Sequence, residues 1–317
     1  MKRTLAALPV VILAATMLVG CSTTDAASGC EPVAPGSASK AVKLEGKFGE
    51  QLKLTSKTPI DSVDLQRSVA IEGEGEQLTD TDMVKAHMSM FTGSDGTQVA
   101  SEDALLSLDE QSMAPWVIQS LKCSSEGDRV VTTAPAATIF PQGGQDFGVE
   151  ASDSVLVVLD LKQIVEPRAV GEEQELPEGF PEVSLGKDGD PTITIPEGVT
   201  PSGKPEIATR IKGDGPVVKA GDNVSVQYRG VIWRTGETFD SSWDRGSIAP
   251  FNTNGVIGGF SDALVGQTVG SQVVSIVPAG EAQGGYPEDK LVEMGHQKDD
   301  TMVFVLDIVD ASTPPKQ

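Results

Sequence analysis

The sequence predicts two copies of one α+β fold, each a small antiparallel sheet folded over one short helix. Three observations carry this. The chain repeats itself in order over most of its length, apolar residues alternate with period two, and one short segment has helical spacing.

The repeat comes first. At an offset of 140, Gly46-Lys47, Gly49, Ile71, Gly73, Gly75, Asp82, Val84, Gly96 and Ser101 meet Gly186-Lys187, Gly189, Ile211, Gly213, Gly215, Asp222, Val224, Gly236 and Ser241. The offset then widens to 143, where Leu121, Gly127, Val130, Val131 and Pro135 meet Leu264, Gly270, Val273, Val274 and Pro278. It ends at 147, where Asp153, Val155 and Asp160 meet Asp300, Met302 and Asp307. The offset changes between the conserved blocks, where loops tolerate insertion. The first copy is expected over 41–164 and the second over 181–312. Between them, residues 165–180 hold Glu166, Glu172, Glu173, Glu175 and Glu178 against Arg168 alone, which reads as an acidic linker. Residues 313–317 read as a disordered tail.

Within the second copy, Val224, Val226 and Tyr228 alternate with Ser225 and Gln227, the period of a strand with one buried face. The runs 272–277 and 301–309 are apolar enough for buried strands. Phe260, Ala263 and Leu264 fall at i, i+3 and i+4 and predict the helix. Glycines at 213, 215, 230, 236, 246, 258, 259 and 266 read as turn positions.

The amino terminus speaks to location. Lys2 and Arg3 precede an apolar run to Val19, too short for a comfortable membrane span of about 20 residues. This is the pattern of an export signal over residues 1–20. Leu18-Val19-Gly20-Cys21 resembles the bacterial lipobox, which implies cleavage before Cys21 and lipid on that cysteine. The chain is then expected at the extracytoplasmic face of the cell membrane, with residues 21–40 as a flexible tether. Outside the cytoplasm the two remaining cysteines, Cys30 and Cys123, are expected to pair as a disulfide; two free thiols are the alternative.

Composition excludes some functions. With 46 acidic and 24 basic residues in 317, the net charge of −22 disfavours a protein that grips nucleic-acid phosphates. Two histidines leave little room for a multi-histidine metal site, and no calcium-loop spacing occurs among the acids, so no metal or cofactor is expected.

Tyr228, Phe239-Asp240-Ser241-Ser242, Asp244-Arg245, Val256-Ile257-Gly258-Gly259-Phe260 and Phe304 together resemble an FKBP-type peptidyl-prolyl cis-trans isomerase, over about residues 205–310. The resemblance implies a curved antiparallel sheet wrapped around one short helix, with an apolar pocket between them. It assigns Tyr228, Phe239, Phe260 and Phe304 to the pocket walls, Val256 and Ile257 to the rim, and the Ile257 N–H to a substrate carbonyl. It places Asp240 by the twisting amide with Arg245 orienting it, and Phe251 as a further wall. Taken singly, the phenylalanines could be plain core, Asp240 a turn residue and Arg245 half of a surface pair. The implied partners are proline-containing exported polypeptides and, on the same pocket, macrolide ligands. A binding module without isomerase activity is the alternative function.

The chain departs from the family pattern in three places, one being a loop from Arg245 to Val256 that is shorter by about two residues. Phe260 stands where the family has Trp, and Gln283 where it commonly has Tyr, with Tyr286 three residues on and His296 expected at the surface of the next loop. Gln283 can still donate to a substrate carbonyl. In the first copy Met88, Val99, Ala100, Val117 and Val157 stand at the positions of Tyr228, Phe239, Asp240, Phe260 and Phe304, so that copy is expected to have lost the activity. Met83, Met88, Met90 and Met113 offer it either adaptable apolar surface or plain core.

Overall fold

The computed structural model describes residues 30–314. The expected signal segment and Cys21 lie outside the described residues. In chain order the first copy has helix α1 (Ser37–Ala41), strands β1 (Leu44–Glu45), β2 (Lys53–Leu54), β3 (Gln66–Ile71), β4 (Met83–Thr92) and β5 (Gln98–Ser107), then α2 (Pro115–Leu121), β6 (Arg129–Pro135), α3 (Ala136–Ile139) and β7 (Ser154–Val165). The second copy has β8 (Glu172–Glu173), β9 (Glu182–Leu185), β10 (Pro191–Thr194), β11 (Glu206–Lys212), β12 (Asn223–Ile232), β13 (Thr238–Ser241), α4 (Ser242–Arg245), β14 (Ala249–Asn252) and α5 (Gly258–Leu264). It ends with β15 (Gln272–Val277), α6 (Glu288–Glu293) and β16 (Met302–Ser312).

The two sheets share a topology. The first runs β3-β6-β7-β4-β5; the second runs β13-β12-β16-β15-β11-β8, with β14 also on β12. Neighbouring strands in both are antiparallel. The offsets read from sequence coincide with structural equivalence. Met90 faces Val157 and Ala100, as Gly230 faces Phe304 and Asp240. Asp82 and Asp222 each accept from the backbone N–H three residues earlier, at 2.8 Å.

Both faces of each sheet are covered. The inner face packs on α2 in the first copy and on α5 in the second, with Leu121 and Leu264 fully buried. The outer faces carry the hairpins β1–β2 and β9–β10. In the first copy Leu52 and Ile60 pack with Phe91, Val131, Leu156 and Val158. In the second Phe180 and Ile193 pack with Val231, Val274, Val303 and Val305. A strand buried on both faces needs no polar alternation, which explains the continuous apolar run of β16.

Several boundaries differ from expectation. Residues 37–41, mostly inside the expected tether, form α1; Ala38 is buried and its N–H, 3.0 Å from Gln66 Oε1, anchors the helix on β3. The expected linker 165–180 is largely part of the second domain. Glu172 and Glu173 pair with Lys212 and Ile211 at the sheet edge, Val170 N–H donates to Gly270, and Phe180 is core. An edge strand pairs through its backbone while exposed glutamates face water, so its composition reads as linker. Thr313, expected in the tail, is bonded to the second domain: its Oγ1 donates to Asp222 Oδ1 at 2.8 Å. Met83 and Met90 are buried and Met88 and Met113 pack against the same cluster, so these methionines are core. Cys30 and Cys123 are each disulfide-bonded.

The copies solve one electrostatic problem differently. Asp160 and Asp307 are equivalent and buried. Asp160 receives Arg129 through both oxygens, at 2.6 and 2.8 Å, and the Gly49 N–H at 2.6 Å. Asp307 faces Gln272 instead of arginine, at 2.7 Å, and receives the Ala169 N–H at 2.9 Å. Burial without a contacting cation pushes the Asp307 carboxyl up to about 6, against the pull of its hydrogen bonds and of more distant Arg210 and Arg168.

Two predictions follow from this pair. Replacing Arg129 by Met strands a buried carboxylate and is expected to cost about 3–5 kcal/mol in chemical denaturation; a loss below 1 kcal/mol refutes the argument. A raised carboxyl holds its proton in the folded state after the unfolded chain has lost it, so Asp307 lowers stability as pH rises from about 4 to about 6. The Asp307→Asn chain should lack this decline, roughly 3 kcal/mol across the window, when both are unfolded by denaturant at several pH values.

Candidate active site

The site is built on β12. Tyr228 points to the inner face and is buried, and Gly230, two residues on, lies on the same face. Gly230 is not at a turn. A Cβ there would lie 2.7 Å from the Phe239 ring and 3.1 Å from the Phe304 ring, so its missing side chain is the space those rings occupy. Phe304 arrives from β16, which pairs directly across Gly230. Phe260 comes from α5, where Gly259 lets the helix approach Val277 closely. Phe251 comes from β14.

The five rings meet edge to face. Phe260 is the hub, with centroids 5.5 Å from Tyr228, 5.4 Å from Phe304 and 5.3 Å from Phe251, at interplanar angles of 88°, 85° and 70°. Phe239 stands 5.5 Å from Phe304, and Phe251 5.8 Å from Tyr228. Such contacts suit the ring quadrupoles and hold each ring in one orientation. Val256 and Ile257 pack on this cluster.

One edge of the box is polar. The Tyr228 phenol donates to Asp240 Oδ2 at 2.5 Å, and Arg245 bonds both Asp240 Oδ1 and, at 2.9 Å, the phenol oxygen. The guanidinium carbon also sits 5.4 Å from the Tyr228 ring centroid. Burial, and then the hydrogen bond to Asp240, pushes the Tyr228 phenol up to about 12. Its hydrogen bond to Tyr228 raises the Arg245 guanidinium further, so both groups keep their protons throughout the physiological range. Arg245 and Asp240 are each nearly half exposed, so their contact serves orientation more than stability.

Helix α4 supplies Arg245. Ser241 caps it by accepting from the Asp244 N–H at 3.1 Å, and Gly246 closes it at φ +69°. Ser242 pins it to β12, receiving the Tyr228 N–H at 2.7 Å and donating to Gln227.

At the rim, Ile257 precedes α5. Its carbonyl accepts from Phe260 and Ser261, while its own N–H meets no acceptor among the described residues. Beside it lies the loop 280–285, joined to the helix start by the Gly259 N–H donating to Gly284 at 2.8 Å. Gln283 is in this loop, but its amide oxygen folds over Gly280, within 2.8 Å of where a Cβ would stand. Its side chain makes no hydrogen bond and does not join the rings. Tyr286 and Ala279 do pack on the cluster. His296, expected at the surface, has its ring 5.8 Å from Phe239. Gly230 reads in sequence as a turn position because a mid-strand glycine resembles one, and His296 as a surface residue because no sequence period places a loop against a ring.

The first copy lacks this arrangement. Met90 occupies the position of Gly230, with Val99 and Val157 where the second copy has rings, and Trp116 on α2 is buried in the same core. Its β5 runs unbroken from Gln98 to Ser107, where the second copy interrupts the edge with α4 and β14. No counterpart of Arg245 exists there.

Comparison with known proteins agrees with the geometry. Residues 215–309 match the family model described as FKBP-type peptidyl-prolyl cis-trans isomerase. The chain is 38% identical over 122 residues to a probable FK506-binding protein of Corynebacterium glutamicum, covering 38% of this chain and 98% of that protein. It is 39% identical over 126 residues to an FK506-binding protein of Streptomyces anulatus, covering 37% of this chain and 98% of that one. Among solved structures, FkpA from Escherichia coli aligns with 22% identity and a TM-score of 0.32, over 44% of this chain and 54% of that one. The chain therefore belongs to the FKBP-type peptidyl-prolyl cis-trans isomerase family, through the domain that holds the aromatic box.

Proposed function

We propose that the second domain isomerises X–Pro bonds in exported polypeptides, that the first domain has no isomerase activity, and that lipid on Cys21 holds the protein at the outer face of the cell membrane. The observation that carries the enzymatic reading is the aromatic box with one polar edge and an unused N–H at its rim. The reaction needs no more than this. Amide resonance sets a rotation barrier of about 20 kcal/mol. The twisted amide has less charge separation than the planar one, so a dry apolar box favours it relative to water. The proline ring would lie against Phe260, with Tyr228, Phe239 and Phe304 around it. The Ile257 N–H would hold a peptide carbonyl and stop the chain from turning with the ring. Asp240, kept in place by Arg245 and the Tyr228 phenol, would face the amide as it twists.

The loop of Gln283 offers less. With its amide folded over Gly280, Gln283 gives the substrate little, and Tyr286 is the residue that backs the box. Macrolide ligands would compete for the same apolar surface. Location and clients rest on the resemblance of residues 18–21 to a lipobox.

The test is a proline-limited refolding assay on the chain from residue 21 onward. Acceleration at micromolar protein is expected; its absence refutes the enzymatic reading. Asp240→Ala should lower kcat/KM by about tenfold with little change in folding, as expected when one positioned polar group is removed. Phe304→Ala should abolish activity but also cost about 3–5 kcal/mol of stability, so its melting curve must be read alongside. Gly230→Met should drive a side chain into the space of the Phe239 and Phe304 rings and eliminate activity. Because the Tyr228 phenol titrates near 12, its ionisation should leave the rate flat between pH 6 and 9; a tyrosine-like inflection there refutes the assigned network. Labelling with radioactive palmitate, lost in Cys21→Ser, tests the anchor.

A further inference from the structure

We propose that the turn of hairpin β9–β10, residues 186–190, is a strut that positions Arg245 in the isomerase site. The inference rests on the reading of that site given above and extends it to residues outside the family match at 215–309.

Arg229 is the link. It follows Tyr228 on β12 and so points to the outer face, away from the box. Its Nη2 lies 2.6 Å from Asp244 Oδ1 on α4 and 3.0 Å from Asp190 Oδ1 on the hairpin. The guanidinium is only 15% exposed; it hydrogen-bonds Asp244 and forms an ion pair with Asp190, and its Nε has no hydrogen-bond partner among the described residues. The turn also seats directly on α4. A Cβ on Gly189 would lie 3.4 Å from Trp243 Cη2 and 2.8 Å from Arg168 Cδ. Gly189 holds φ +94°, a conformation that side-chain-bearing residues rarely adopt, so this close seat depends on glycine. Hydrogen bonds from Gly186 N–H to Asp190 O, 2.8 Å, and from Gly189 N–H to Gly186 O, 3.2 Å, keep the turn closed.

Helix α4 needs such support. It is one turn of four residues, too short to persist alone. Ser242 is tied to Gln227 and the Tyr228 N–H and Asp244 to Arg229, while the Trp243 ring lies close to Gly189. Arg245, the next residue, has hydrogen bonds only to Asp240 and Tyr228 and is 47% exposed. Its aim is therefore set by the backbone that precedes it. Asp190, Arg229 and Asp244 act through α4 and are positioning residues; none touches the box. The first copy has an equivalent hairpin but no α4. There Gln51 donates instead to Gln98 on the unbroken strand, at 3.1 Å.

The test is a set of single and double variants of the chain from residue 21 onward, read by prolyl-peptide kinetics and by NMR exchange of the Arg245 guanidinium N–H protons. Asp190→Asn is expected to lower kcat by about threefold, the scale of one exposed ion pair, with KM and melting temperature unchanged. Arg229→Lys should retain most of the rate and Arg229→Gln should not. In an Arg245→Ala background, Asp190→Asn should have no further effect, since the strut then has nothing to position. Equal losses in both backgrounds, or no loss in either, overturn the proposal. The NMR arm does not depend on catalysis. Faster exchange at Arg245 in Asp190→Asn supports the strut even in a chain without isomerase activity, whereas unchanged exchange refutes it even in an active one.

Discussion

The constraint on which both domains depend is the mismatch between a long sheet and a short helix. A helix of seven residues is about 10 Å long, whereas a strand of ten residues spans about 33 Å. Helix α5 therefore covers only part of the inner face of β12 and β16. The remainder must be filled by large side chains or left open. The second domain fills it with rings that meet at right angles, and Gly230 gives up its own volume to admit two of them. The first domain fills the same region with Met88, Met90 and Trp116. Flexible methionine packs into irregular gaps, and the face closes into ordinary core. Pocket and core are two answers to one shortage of helix.

The same economy shows in the buried carboxylates. Asp160 and Asp307 occupy one position in the fold, and each fixes a backbone N–H that arrives from outside its sheet: Gly49 in the first copy, Ala169 in the second. In the first the charge is matched by Arg129. In the second Gln272 offers an amide, and desolvation raises the carboxyl. A buried charge matched by one partner tolerates pH but not loss of that partner; a neutral partner reverses the vulnerability.

Much of this was legible in the sequence because it depends on side-chain periodicity and volume. The repeat, β15 to the residue and the place of α5 follow from the order and spacing of glycines and apolar residues, whereas the aromatic set was implied by the family resemblance. The failures have a common cause as well. Helix α1 and strand β8 are made by backbone pairing and by single anchors such as Gln66, which leave no period in residues 37–41 or 172–173. Gly230 is defined by atoms that are absent, and its role appears only when Phe239 and Phe304 are placed around it. Gln283 was read by its place in a family pattern, but side-chain direction within a 3₁₀ turn is not a property of sequence position. What remained hidden was decided by backbone contacts and by empty space.

The outer hairpins connect these points. By covering the second face of each sheet they allow the central strands to be apolar throughout, which is why the two copies could be aligned so far into their cores. A hairpin fixed there by burial also reaches the sheet edge at a set height. In the first copy that edge is an unbroken strand, and the hairpin meets it through the Gln51–Gln98 amide hydrogen bond. In the second the edge is broken by α4, and the hairpin turn fits against Trp243 and the cation of Arg229. Breaking the edge strand brings Arg245 to Asp240, but it also replaces a laddered strand with one short helical turn. The hairpin, present in both copies for reasons of burial, then stands where it can brace that turn from the outer face. Loss of the interruption in the first copy removes the polar edge of the box and the need for the brace together.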